Sequence, residues 1–171
     1  MCGIVGAVAQ RNVYPILIEG LKRLEYRGYD SAGIAIIDTK DCLAIRKTLG
    51  KVAALEKLSA GMDLRGNSGI AHTRWATHGE PSTANAHPHQ SNGIAIVHNG
   101  IIENHENLRD ELIREGYNFL SETDSEVIAH LIHSSLKISH SLCDAVISAT
   151  TKLKGAFALA VVSQEHPGIL V

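Results

Sequence analysis

The sequence lacks the marks of the extreme protein classes. Its longest unbroken apolar run, Ala156 to Val162, is seven residues, far short of the roughly 20 that a membrane helix needs. Neither sign of charge prevails: 16 Lys+Arg stand against 18 Asp+Glu, a formal net charge of −2. That leaves no electrostatic footprint for nucleic acid or an anionic membrane, and no block of like charges forms a tail. Cysteine is scarce. Cys2, Cys42 and Cys143 are an odd and scattered set, which excludes a disulfide framework and favours a reducing cytoplasm. No basic segment precedes an apolar core, because Arg11 follows the first apolar stretch, so no signal peptide is expected. GxGxxG and GxxxxGK[ST] are both missing, and with them any support for the nucleotide sites those motifs build.

What is present is ordinary in bulk. The 171 residues are 44% apolar and 20% charged, which describes one globular domain burying about 70% of its unfolded surface. Two features are not ordinary: a cysteine at position 2 and ten histidines.

Cys2 to Ala9 is apolar and β-branched with small residues between, and reads as a buried strand. Val13, Ile16, Leu17, Gly20, Leu21 and Leu24 recur at helical spacing, with Arg27-Gly28 as a stop. Strands are expected at 33–38, 43–47, 68–75, 93–98 and 157–163, with the start of another at 169–171, and a short helix at 52–58. Thr77 to Asn92, with Pro81, Pro88 and three histidines, reads as one long loop. A helix over 104–115 is expected to turn Leu108, Leu112 and Ile113 inward. Thr123 to Glu126 matches the S/T-x-x-E capping box ahead of Val127, Ile128, Leu131 and Ile132. A last helix is expected over 141–153. This mixed order indicates α and β layers without fixing their topology.

If Met1 is removed, Cys2 carries a thiol and a free α-amine, the latter with a pKa near roughly 8. Nucleophile and base then share one residue. Cys2 also reads as a small apolar residue opening a buried strand. Asn99-Gly100 can supply a side-chain and a backbone N–H to an oxyanion, or can be a plain turn. Arg74 can grip a carboxylate in a bidentate fashion, or can be a surface arginine. Asp124 can bind an ammonium, or can complement a helix dipole. His87/His89 and His130/His133 have spacings open to metal, yet no Cys or carboxylate cluster completes a four-ligand signature. The histidines are therefore expected mostly on loops and helix surfaces, and no metal or cofactor is expected.

Six segments occur in order: MCGIVGAVAQ, RLEYRGYDSAGIA (23–35), HTRWATHGEPS (72–82), NAHPH (85–89), HNGIIENHENLRDEL (98–112) and SETDSEVIAHLI (121–132). Together they resemble the glutaminase domain of the glutamine–fructose-6-phosphate aminotransferases, within the class II glutamine amidotransferases. The resemblance implies an α+β fold, the N-terminal-nucleophile hydrolase fold, a four-layer αββα sandwich of antiparallel sheets. It implies Cys2 as nucleophile, and Asn99 and Gly100 as oxyanion hole. Arg74, with Thr77 and His78, would hold the α-carboxylate of L-glutamine, Asp124 the α-ammonium, and Trp75 would open a loop closing over the site. Arg27 and Gly28 would support the nucleophile, while Cys42 and Cys143 would be packing residues.

The implied activity is hydrolysis of glutamine through a thioester, with the ammonia used to make glucosamine 6-phosphate. Fructose 6-phosphate would enter only through sugar-isomerase domains absent from this chain, and the full-length protein would be a homo-oligomer. Residues 1–171 are expected to be a glutaminase domain cut short at its C-terminal end, weak in glutaminase activity and unable to make the aminosugar alone. The alternatives are an N-terminal-nucleophile amidohydrolase or amidotransferase with another acceptor, and a non-enzymatic metal-binding module.

Overall fold

Period-two alternation along the strands sorts the apolar residues into three cores. The computed structural model describes residues 2–75 and 80–171. Its elements are β1 (Gly3–Val8), α1 (Tyr14–Leu24), β2 (Ser31–Asp38), β3 (Leu43–Leu49), α2 (Val52–Ser59), β4 (Gly66–Arg74), β5 (His89–Ser91), β6 (Ile94–Gly100), α3 (His105–Arg114), α4 (Ser125–Leu136), α5 (Leu142–Thr150) and β7 (Phe157–Ser163). Among the described residues the strands form two antiparallel sheets, ordered β1-β4-β2-β3 and β5-β6-β7.

In β2, Ala32, Ile34 and Ile36 pack with Leu17, Leu21 and Leu55 of α1 and α2. The intervening Ala35 and Ile37 face the other way, meeting Ile70 of β4, Ala95 and Val97 of β6, and Ala160 and Val162 of β7. The outer face of the second sheet, with Ile94, Ile96 and Val161, packs under Leu108 and Leu112 of α3, Val127, Ile128, Leu131 and Ile132 of α4, and Ala145 and Ala149 of α5. The longer strands thus alternate between a core shared with helices and a core shared with the opposite sheet. The layers are helices, sheet, sheet, helices, which is the expected αββα sandwich.

Local signals explain two of the helix starts. Pro15 sits in the first turn of α1, where its missing N–H costs nothing. The Ser141 hydroxyl accepts the Asp144 N–H at 3.1 Å and caps α5. That helix ends at Thr150, short of the expected Leu153. Where a strand was expected to begin at 169–171, the chain makes an isolated bridge to β7, with mutual backbone bonds between Val161 and Val171.

Four expectations are corrected. The loop over 77–92 contains a strand, β5, whose register is His89↔Ile96 to Ser91↔Ile94. Asn99-Gly100 is not a turn but the end of β6, paired as Asn99↔Ala158 and Gly100↔Phe157. Ile113 is 51% exposed, because α3 buries only the Leu108/Leu112 stripe. The capping box does not form. Asp124 stands at the N-cap of α4, and the Glu126 carboxylate takes the N–H groups of Leu120 (2.9 Å) and Ser121 (2.7 Å) and the Ser121 hydroxyl. Three donors from the preceding segment outcompete one cap amide.

Candidate active site

The alternation that builds the inner core also delivers polar side chains to one end of it. On β4, His72 and Arg74 continue the inward set begun by Ile70. On β6, Asn99 continues Ala95 and Val97. Cys2 lies two residues before the inward Ile4, and the Gly3↔Thr73 register sets it beside the end of β4. The apolar inner face therefore ends in a cavity of about 360 Å³, lined by Cys2, Arg74, Trp75, Asn99, Gly100 and Asp124 together with neighbours from β6 and the start of α4. The volume is in the range of small-molecule sites.

Cys2 rests against the backbone of Trp75: the Trp75 N–H donates to Sγ at 3.2 Å, and the thiol lies 3.6 Å from the Trp75 carbonyl. Gly28 is required beneath this residue. Its φ is +73°, and a Cβ there would meet Trp75 Cζ3 at 2.7 Å. Gly100 is equally constrained, with φ +135° and the Ala156 carbonyl 2.2 Å from any added Cβ. Ile101 N–H donates to Ala156 O at 3.3 Å, so position 101 is of the hydrogen-bonded type and the intervening Gly100 N–H points out of the β6–β7 ladder. It is a donor that the sheet does not use.

Asp124 is 4% exposed. One carboxylate oxygen accepts the Ile102 N–H at 2.8 Å, and the other accepts the Ser125 hydroxyl at 3.3 Å. Ser125 in turn meets His98 Nδ1 at 2.8 Å. This chain holds the carboxylate toward the cavity and away from its own helix amides. Arg74 is the cationic side chain of the cavity lining and is buried. The two charges needed for a zwitterion are thus both present.

The histidines depart from expectation. His72, His87, His89, His98 and His130 are all buried, and His87 packs 4.2 Å from His72 and 4.7 Å from His89, ring centre to ring centre. Burial pushes His72 down to about 4 and His89 to about 3, and lowers His87 and His98 as well; neighbouring cations add to the effect at His72, His87 and His89. His72, His87, His89 and His98 are neutral at pH 7, which leaves Arg74 and Asp124 as the charged side chains of the cavity lining. Among the described residues no group of three or more His, Cys, Asp or Glu is arranged to hold a metal ion.

A stability consequence follows. The unfolded chain protonates His72, His87 and His89 near 6.5 and the folded chain only well below it, so their contribution is complete above pH 6.5 and declines as pH falls toward 4. For His72 alone the full loss is about 3 kcal/mol. Glu126, held down to about 2 against a usual 4.5, loses its contribution only below pH 4.5. Urea midpoints should therefore fall between pH 6.5 and 5, ahead of the carboxylate range. A midpoint unchanged over that interval would contradict the buried cluster.

A family model described as a glutamine amidotransferase domain matches residues 72–171. The chain belongs to this family. It is 57% identical over all 171 residues to the glutamine–fructose-6-phosphate aminotransferase (isomerizing) of Shigella flexneri, and 56% identical to that of Escherichia coli K12. The chain spans 28% of the length of these curated relatives. Among solved structures, the glutamine phosphoribosylpyrophosphate amidotransferase of B. subtilis superposes with a TM-score of 0.80 at 29% identity, over 96% of this chain and 35% of that one. The fold is that of the N-terminal-nucleophile amidotransferases.

In this amidotransferase domain Cys2, Arg74, Trp75, Asn99, Gly100 and Asp124 meet in one cavity, and Gly28 packs beneath Trp75. Thr77, His78 and the side chain of Arg27 lie outside what the structure describes. His72, His98 and Ser125 carry no role read from sequence, while His87 is read there only as a metal ligand and Thr123 only as a helix cap; here His87, His98, Thr123 and Ser125 line the cavity. His72 and His98 carried an available signal, since each lies on the inward or terminal stretch of a strand inside a quoted motif. Cys42 and Cys143 are exposed rather than packed.

Proposed function

We propose that this domain hydrolyses L-glutamine at Cys2 and releases ammonia for transfer to a sugar phosphate. The observation that carries the reading is the convergence of Cys2, Arg74, Asp124, Asn99 and Gly100 on one cavity. Glutamine is a zwitterion at its α-carbon with a neutral amide at the far end. Arg74 takes the carboxylate, Asp124 the ammonium, and the amide carbon reaches Cys2.

In the proposed reaction Met1 is absent and the Cys2 α-amine accepts the thiol proton as Sγ bonds to the amide carbon. Asn99 Nδ2–H and Gly100 N–H stabilise the tetrahedral oxyanion. The ammonium returns its proton to the leaving nitrogen, the C–N bond breaks and ammonia departs. Water then adds to the thioester, the amine taking its proton, and collapse frees glutamate and restores the thiol. By likeness to the aminosugar-forming relatives, the acceptor is fructose 6-phosphate, bound by the part of those relatives that this chain does not span.

The test is release of glutamate and ammonia from glutamine by the purified chain, paired with its intact mass. Activity is expected only in the species lighter by one methionine residue. Asp124→Asn should raise KM for glutamine about tenfold or more while kcat changes little, because the ammonium is bound alike in ground and transition states. Steady-state kinetics showing the loss in kcat alone would remove Asp124 from substrate binding.

A further inference from the structure

We propose that His72 is a positioning residue for the oxyanion hole: its Nε2–H holds the Asn99 amide in the one orientation that turns Nδ2 toward the substrate. The proposal rests on the glutaminase reading above. His72 Nε2 lies 2.7 Å from Asn99 Oδ1, a contact that crosses from β4 of one sheet to β6 of the other. His72 is 1% exposed, so no water competes for that bond.

The need for such a residue is chemical. The two ends of an asparagine amide are nearly equal in size, so packing alone does not choose between oxygen and nitrogen. An oxyanion hole depends wholly on that choice. With Nδ2 toward the cavity, Asn99 donates to the developing oxyanion. With Oδ1 there, it repels it. A ring nitrogen bearing hydrogen is a donor and selects one of these: Nε2–H donates to Oδ1 and leaves both Nδ2 hydrogens for the site. A bare Nε2 would pair with Nδ2 and turn the carbonyl oxygen on the substrate. The packing of the His87 ring against His72 holds the imidazole in place, and a neutral His72 keeps a second cation away from Arg74.

Two measurements test this on the purified chain. Long-range 1H–15N spectra report the tautomer of His72 whatever the activity; the expected result is a protonated Nε2 and a bare Nδ1, and the opposite tautomer overturns the proposal. In kinetics, His72→Ala should lower kcat for glutamine by roughly 10- to 100-fold, part of what a whole oxyanion donor supplies, with KM within about twofold. His72→Gln, which keeps an N–H donor, should recover part of that loss. In an Asn99→Ala background His72→Ala should cost nothing further, because the amide it orients is gone. Equal losses in both backgrounds, or a loss confined to KM, overturn the proposal. Failure of the glutaminase reading looks different: the parent chain then shows no Cys2-dependent hydrolysis, while the spectrum still decides the tautomer.

Discussion

Cys2→Ala should abolish glutamine hydrolysis, with a loss of at least about 10⁴-fold in kcat, since only binding and oxyanion stabilisation remain once a covalent nucleophile is gone. The substitution is informative because it separates two functions carried by one residue. Alanine is small enough to allow Met1 removal, so the α-amine stays and the thiol alone is lost. The converse variant, with one residue retained ahead of Cys2, keeps the thiol and removes the adjacent amine. Both should be inactive for different reasons, and both should still bind glutamine through Arg74 and Asp124. Cys42 and Cys143 are exposed, so thiol labelling reports on Cys2 only after both are changed to serine. In that background one equivalent of a glutamine-like electrophile should attach, and glutamine should protect against it. Near-normal turnover in Cys2→Ala would sink the scheme.

The strands were legible because their signal is local. Gly33 to Asp38 and Phe157 to Ser163 are apolar runs whose ends coincide with strand ends to within two residues. The site was legible for another reason: Cys2, Arg74, Trp75, Asn99 and Asp124 each sit in a long motif, and the fold only had to bring the motifs together. What failed depended on partners distant in sequence. Glu126 fits a capping box until Leu120 and Ser121 offer it three donors. Asn99-Gly100 looks like a turn until β7 pairs with it. The histidines look like surface residues because nothing in their spacing shows that His72 of β4, His89 of β5 and His98 of β6 gather around the ring of His87, just ahead of β5. Alternation along β4 would have placed His72 with Ile70 and Arg74 on the inner face, so that one burial was within reach of the sequence.

Asn99→Ala should lower kcat by about 100- to 1,000-fold, the usual effect of one lost oxyanion donor, with KM little changed because the amide oxygen carries full negative charge only in the transition state. The remaining activity belongs to the Gly100 N–H, whose direction is set by the β6–β7 register and not by the Asn99 side chain. Asn99→Asp makes the sharper comparison. Aspartate matches asparagine in size and still accepts from His72 at the Oδ1 position. Its second oxygen then faces the cavity where Nδ2 should be, so the developing oxyanion meets an acceptor in place of a donor. If the role is packing, aspartate should be milder than alanine. If the role is donation, aspartate should be at least as slow as alanine despite its better fit. Single-turnover acylation rates of Cys2 in the two variants decide between these, since they isolate formation of the tetrahedral intermediate from thioester hydrolysis and product release.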